Sequence, residues 1–334
     1  MINFGAMPPE AAHLSDLRET STKAAVEVAQ RIIANVGTVL EGKRDVVQMA
    51  VTAMLARGHL LIEDVPGVGK TTLARALAAS VGVDFRRIQF TSDLMPADVL
   101  GGNVFSQQKG EFSFRKGPIF TNVLLADEIN RTTPKTQSAL LEAMDERHVS
   151  LDGHTHVLDE PFFVLATQNP EEFYGTYPLP ESQLDRFLMR LRIGYPPEDI
   201  ERQVLARRRK ADPVADLAPV VDRRDLLTAQ VAVDRVRVAD EVVDYLHALV
   251  LATRTTPLLS IGASTRAALA LERAVRAAAL TSGRSYATPD DVKAVAICVL
   301  AHRVRPAGSR DAVGGHVDGE RVIRDLLASM PVPV

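Results

Sequence analysis

The stretch Asp64-Val65-Pro66-Gly67-Val68-Gly69-Lys70-Thr71 holds the residue types and spacing that point most directly to chemistry. Gly67 and Gly69 permit a close backbone approach to an anion, since a side chain at either position would stand between amide and oxygen. N–H groups in such a loop turn inward, and a following helix adds the positive end of its dipole, so the ligand suited to them is a polyphosphate. Lys70 is spaced to reach the β- and γ-phosphates, and the Thr71 hydroxyl to hold Mg²⁺. The expected cofactors are therefore ATP and Mg²⁺, bound along Asp64 to Thr72. One residue departs from the usual pattern: Asp64 stands where a first glycine is normal, so that position must accept a Cβ and a carboxylate at the base of the loop.

Two further segments supply polar groups at the ends of apolar runs. Val123-Leu124-Leu125-Ala126-Asp127-Glu128 ends in paired carboxylates. At the carboxyl edge of a parallel sheet these would lie beside the phosphate loop. Asp127 is then placed to hold Mg²⁺ through a water, and Glu128 to polarise the water that attacks the γ-phosphate. Phe163-Val164-Leu165-Ala166-Thr167-Gln168-Asn169-Pro170 repeats the arrangement, and Pro170 biases Asn169 toward extended backbone, aiming its amide at the γ-phosphate side.

Those residues need a frame, and the hydrophobic periods supply one. Residues 14–39 and 43–57 read as helices, the second ended by Gly58 in the role of a left-handed cap. Residues 59–63 form a short apolar strand, followed by the loop and a helix from Thr72; 85–90, 122–126 and 162–167 are further buried strands. This alternation predicts a parallel sheet covered by helices on both faces. Residues 103–114, around Lys109-Gly110-Glu111, and 149–158, around Asp152-Gly153, alternate as inserted β-hairpins. Tyr195-Pro196-Pro197 breaks the rhythm. After it, 198–210, 223–230, 240–253, 265–281 and 289–303 all read as helix. The expected organisation is a loose tail (1–13), an α/β nucleotide-binding domain (14–196) and a smaller all-helical domain (197–334).

Composition excludes several classes. The chain of 334 residues carries 39 Lys+Arg against 42 Asp+Glu, a formal net charge of −3, which offers no global field for nucleic acid or anionic lipid. A single cysteine, Cys298, precludes an intrachain disulfide and a cysteine-based zinc site. No segment approaches eighteen uninterrupted apolar residues, and the opening residues lack a signal-peptide pattern, so a cytoplasmic protein without membrane insertion is expected.

The order of phosphate loop, Asp127-Glu128, Asn169 and helical domain resembles the AAA+ ATPases. Glu63 to Thr71, Ile88-Gln89-Phe90-Thr91-Ser92-Asp93, Gly117-Pro118-Ile119-Phe120, Asp127-Glu128-Ile129-Asn130-Arg131 and Ala166 to Pro170 resemble the MoxR family more specifically, and the likeness spans roughly residues 35–300. It implies that Asn169 is the sensor 1 position. Leu184-Asp185-Arg186-Phe187 would carry an arginine finger acting on ATP of the neighbouring subunit. Gly262-Ala263-Ser264-Thr265-Arg266 would be the sensor 2 site, with Arg266 on the γ-phosphate. The hairpins correspond to the inserts that line a ring opening. A homo-oligomeric ring, usually a hexamer, is implied. So are a separate protein bearing a von Willebrand factor A domain and a protein client that is remodelled, matured or activated.

Other assignments stay open beside these. Arg131, Arg190 and Arg192 compete with Arg186 for the finger, and Arg186 could instead pair with Glu181 or Asp185 at the surface. A DNA motor, a metal-chelatase subunit and a non-hydrolysing ATP switch share parts of the pattern. Little positive charge at the hairpin tips disfavours DNA, and the intact Asp127-Glu128 pair disfavours the switch. His154 and His156 share a strand face but lack a third ligand, Cys298 reads as core, and Arg207-Arg208-Arg209-Lys210 reads as a helix end facing solvent.

Overall fold

The computed structural model describes residues 9–107, 110–169, 175–207, 212–308 and 314–333. Helices α1 (Pro9–Gly37) and α2 (Arg44–Leu55) precede strand β1 (Leu60–Glu63), and the phosphate loop leads into α3 (Lys70–Val81). The chain returns through β2 (Phe85–Gln89) and α4 (Pro96–Leu100) to a hairpin of β3 (Gly101–Ser106) and β4 (Glu111–Lys116). Strand β5 (Val123–Asp127) and α5 (Pro134–Glu146) lead to a second hairpin, β6 (His148–Leu151) with β7 (His154–Val157). Then come β8 (Phe163–Gln168), the one-turn α6 (Glu181–Leu184) and β9 (Met189–Leu191).

Strands β2, β5, β8, β1 and β9 lie side by side in that order, all parallel. The near-continuous apolar runs of β1, β5 and β8 follow from burial on both faces, whereas edge strand β2 exposes Arg86, Arg87 and Gln89. Period-two alternation splits the side chains between two cores. Leu60, Ile62, Val123, Leu125, Phe163 and Leu165 join the core under α1, α2 and α3. Leu61, Leu124, Ala126, Val164 and Ala166 join the core that also holds Leu140, Leu141 and Met144 of α5.

The remaining helices are α7 (Glu198–Arg207), α8 (Arg223–Val233), α9 (Asp240–Thr255), α10 (Thr265–Thr281), α11 (Pro289–Leu300) and α12 (Gly314–Ser329). To the expected helices the mainly helical part that follows β9, the lid over the parallel-sheet base, adds a short antiparallel pairing of β10 (Leu259–Ile261) with β11 (Arg305–Pro306). Buried residues of α8, α10 and α11, such as Leu226, Val275 and Val295, belong to the same core as Leu60 and Ile62. Helix α1 bridges the parts, packing on α2 and α3 of the base and on α8 and α10 of the lid.

Two expectations need correction. Helix begins at Pro9, inside the loose tail expected at residues 1–13, and a missing N–H costs nothing in a first turn; residues 1–8 lie outside the described part, as do Lys109, Pro170 and Arg208 to Lys210. Gly58 is not the left-handed cap of α2. That conformation belongs to Arg57, at φ 52°, and the amides of Arg57 and Gly58 close back on Met54 and Ala53. Gly58 is needed for space, since a Cβ there would lie 2.3 Å from Leu188 Cβ. Strand β9 and helix α12 were not anticipated.

Candidate functional site

The phosphate loop bends between β1 and α3 with Gly67 at φ 87° and Gly69 at φ 101°, both in the region that favours glycine. Its unusual residue proves to be an anchor. Asp64 is buried, its Oδ2 accepts the amides of Ile193 (2.7 Å) and Gly194 (2.6 Å), and its Oδ1 accepts that of Val65 (2.9 Å). The carboxylate thereby fixes the start of the loop to the chain leaving β9. Asp64 is absent from the positive-φ positions, so glycine is not required there. Lys70 donates from Nζ to the Asp64 carbonyl. Burial lowers the Lys70 pKa, while Asp64, Asp127 and Glu128 pull it the other way.

Strand ends bring the second half of the site to the same edge. Asp127 Oδ2 accepts Arg87 Nη2 (2.6 Å) and Nε (3.0 Å), and Oδ1 accepts the Thr167 hydroxyl (2.5 Å). The Glu128 amide donates to Thr167 Oγ1 at 2.9 Å. Glu128 Oε2 accepts Gln89 Nε2 (2.7 Å) and stands 3.1 Å from Arg131 Nε. Arg87 Nη2 in turn donates to Gln89 Oε1 at 2.9 Å. Arg87, Asp127, Thr167, Glu128 and Gln89 thus form a closed circuit across β2, β5 and β8. Glu128 holds φ 58°, a strained conformation for a side-chain-bearing residue and one that recurs at functional positions.

A cavity of about 310 Å³ opens where Pro66, Gly67, Gly69, Lys70, Thr71, Thr72, Asp127, Glu128 and Asn169 converge, with Arg87 beside them. Of the loop residues expected to bind ligand, Asp64, Val65 and Val68 do not line it: Val68 is buried in the core, Val65 packs against it, and Asp64 anchors from beneath. Thr71 and Asp127 offer hard oxygen donors of the kind Mg²⁺ prefers. Asp127 Oδ2 is taken up by its two bonds to Arg87, but Oδ1 keeps a lone pair after accepting Thr167, so the residues fit such an ion. Sequence reasoning overlooked Arg87 and Gln89 as part of this site. Their signal was a polar pair at period two on a strand, which puts both side chains on one face.

Arg186 and Arg266 are not at this edge. They line a second cavity, of about 750 Å³, with Arg57, His59, Asp145 and Asp185. Arg186 pairs with Asp145 rather than with Glu181 or Asp185, while Arg266 lies 3.2 Å from Asp145 and 3.6 Å from Asp185. His59 precedes β1 and Asp64 follows it, so the four strand residues between them hold the two cavities roughly 13 Å or more apart. His59 is buried in the cavity floor. Its Nδ1 accepts the Val164 amide at 3.0 Å, which leaves Nε2 to donate toward the Met144 carbonyl. Burial, aided by Arg147 and Arg273, lowers its pKa to about 3. Arg303, also overlooked in sequence, ties the finger segment to the lid by donating to Asp185 Oδ1 (2.6 Å) and to the carbonyls of Asp185, Phe187 and Leu188.

The competing arginines have other employment. Arg131 faces Glu128, Arg190 is buried against Glu63, and Arg192 stands 3.6 Å from Glu320. The hairpins touch through Asn103 and Asp152 (2.6 Å) and through His156, whose ring stacks on Phe114 with centroids 3.8 Å apart. Phe105 and Phe112 meet on the first hairpin and remain exposed. Among the described residues no group of three or more His, Cys, Asp and Glu side chains could hold a metal ion, and no helix is long and apolar enough to cross a membrane. Cys298 packs against the core, and burial pushes its thiol up to about 11.

Residues 59–189 match the ATPase family associated with various cellular activities (AAA), and 251–326 match the AAA lid domain. The chain is 47% identical to the uncharacterized protein YeaC of Bacillus subtilis over 91% of its own length and 94% of that protein. It is 41% identical to the chaperone MoxR1 of Mycobacterium tuberculosis, covering 93% of this chain and 84% of the relative. A candidate ATPase from Cytophaga hutchinsonii, known from its crystal structure, superposes with a TM-score of 0.85 at 35% identity, covering 96% and 99% of the two chains.

Proposed function

Because this chain belongs to the MoxR family of AAA+ ATPases, we propose that it hydrolyses ATP with Mg²⁺ in a homo-oligomeric ring, expected to be a hexamer, and uses the cycle to remodel or activate other proteins. The observation that carries this reading is the division of the catalytic set between opposite edges of one sheet. Lys70, Thr71, Asp127, Glu128 and Asn169 gather at the carboxyl edge, whereas Arg186 and Arg266 gather beyond the amino edge. One copy cannot apply both sets to one nucleotide. A head-to-tail ring can, because its interface joins unlike surfaces of successive subunits.

In that arrangement the loop amides and Lys70 hold the phosphates, and Thr71 and Asp127 hold the ion. Bound Mg²⁺ supplies charge neutralisation at the phosphate oxygens. Glu128 accepts the proton of the attacking water, and Asn169 orients that water or the γ-phosphate. The neighbouring subunit presents Arg186, with Arg266 beside it, against charge that develops in transfer; such a guanidinium is worth about 10³–10⁵ in rate. Asp145 and Asp185 keep these arginines paired until the neighbour's phosphate competes for them. The exposed aromatic pair Phe105 and Phe112 suits contact with a protein client. A von Willebrand factor A domain protein remains the proposed partner, and the cytoplasm the proposed location.

Mixing two inactive variants tests the reading. Glu128→Gln and Arg186→Ala should each hydrolyse ATP poorly alone. At equal mixing about a quarter of the interfaces join an intact Glu128 to an intact Arg186. Activity should reappear in that proportion, together with a ring on light scattering. No recovery from two variants that assemble normally would sink the shared-site reading.

A further inference from the structure

Arg190 is an arginine that the proposed catalytic set leaves unused, and it occupies the most buried ion cluster near the nucleotide edge. Its side chain is 3% exposed and Glu63 is 4% exposed; Nη1 donates to Glu63 Oε2 at 2.9 Å. Nη2 donates to Glu320 Oε1 of α12 at 2.7 Å. The other Glu63 oxygen accepts the side-chain amide of Gln168, its register partner on β8. One guanidinium therefore joins the last helix of the lid to the ends of two central strands.

Stability does not account for such a cluster. Desolvating buried charges costs about as much as their attraction returns, and apolar replacements of similar volume are often equally stable. Its placement offers a reason. Gln168 immediately precedes Asn169, and Glu63 immediately precedes Asp64, whose carbonyl accepts Lys70 and whose carboxylate grips Ile193 and Gly194. The lid end also has a second address. Arg192 Nη2 stands 3.6 Å from the same Glu320 oxygen that Arg190 uses, and Arg192 is half exposed. A small shift of α12 can thus hand the carboxylate from a buried arginine to an exposed one. That is an exchange between discrete pairings rather than a gradual deformation.

We propose that Arg190 is a positioning residue that couples the seat of lid helix α12, through Glu320, to Asn169 and the phosphate loop, through Glu63 and Gln168. The inference rests on the ATPase reading above and adds that lid placement and site alignment share one equilibrium. Coupling of this kind is reciprocal for binding, so nucleotide must also be felt at α12.

Glu320→Gln cuts the lid end and leaves the Arg190–Glu63 pair in place. Arg321→Gln, an exposed neighbour on α12 paired with Asp325, is the control. Three quantities are compared with wild type: kcat, KM for ATP, and the change in amide exchange across residues 319–329 when Mg·ATP is added. We expect Glu320→Gln to change KM for ATP by at least about fivefold, to lower kcat with it, and to abolish the exchange response of α12. Arg321→Gln should match wild type in all three. A Glu320→Gln variant that only melts earlier, with wild-type KM, kcat and exchange response, overturns the inference. Should that variant fail to fold, Gln168→Met cuts the opposite end, and the same three readings decide. If wild type binds ATP without turnover, the ATPase reading falls and the exchange response alone judges the relay; if it binds no ATP, both fall.

Discussion

Replacing Asp64 by glycine restores the residue usual at the head of a phosphate loop, and the structure argues that this destabilises the protein. The substitution strips acceptors from the amides of Ile193 and Gly194, at 2.7 and 2.6 Å, and from that of Val65. Ile193 is buried, so its amide has little access to replacement water. A hydrogen bond to a charged acceptor contributes about 1.5–3 kcal/mol, so the two bonds between segments sum to about 3–6 kcal/mol. Water entering the vacated space returns part of this, while the added backbone freedom of glycine costs about 0.5–1 kcal/mol more. The net expectation is a loss of about 3 kcal/mol. It is read as a lower urea midpoint at unchanged slope. Asp64→Asn, which keeps one oxygen acceptor, should lose about half as much. A glycine variant as stable as wild type would show that the carboxylate does not anchor the loop, and the account of the sequence departure would be wrong.

Two further outcomes are expected. Lys70→Ala should lose ATP affinity by calorimetry while the fold is retained; tight binding by that variant would displace the assigned phosphate site. His59 gives a pH signature, because its imidazole protonates near 6.5 in the unfolded chain and only near 3 in the folded one. Between those values the unfolded state binds more protons, so stability should fall as pH drops, by at most about 1.4 kcal/mol per unit. His59→Gln should flatten the urea midpoint in that window, and an equally steep variant would assign the acid sensitivity elsewhere.

Whatever depends on local spacing was legible in the sequence. The phosphate loop, the Asp127-Glu128 strand end and both hairpins announce themselves through glycine placement and a period of two or an unbroken apolar run. Strand β9 hid because it is three residues long with Arg190 at its centre, and burial of that arginine needs Glu63 and Glu320 from distant segments. Helix α12 hid behind the glycines at its start. The location of Arg266 beside Arg186, at the edge away from Lys70, is a property of how lid and base are joined. No local pattern encodes it. Asp64 is the reverse case: its oddity was plain in sequence, but its partners lie 129 and 130 positions away.

The core that runs without interruption from the base through α1 into α8, α10 and α11 has a consequence for how this molecule changes shape. Ala29, Ile32 and Val36 of α1 are sealed within it. A lid hinged to an independent base could swing and leave the base's interior untouched. Here any rotation of the lid must slide α1 along α2 and α3, so the amino-terminal helix travels with the lid or resists it. Motion between the two parts is therefore shear across a packed apolar seam, limited to small steps that keep side chains interleaved, and the two parts should come apart in a single cooperative melting event.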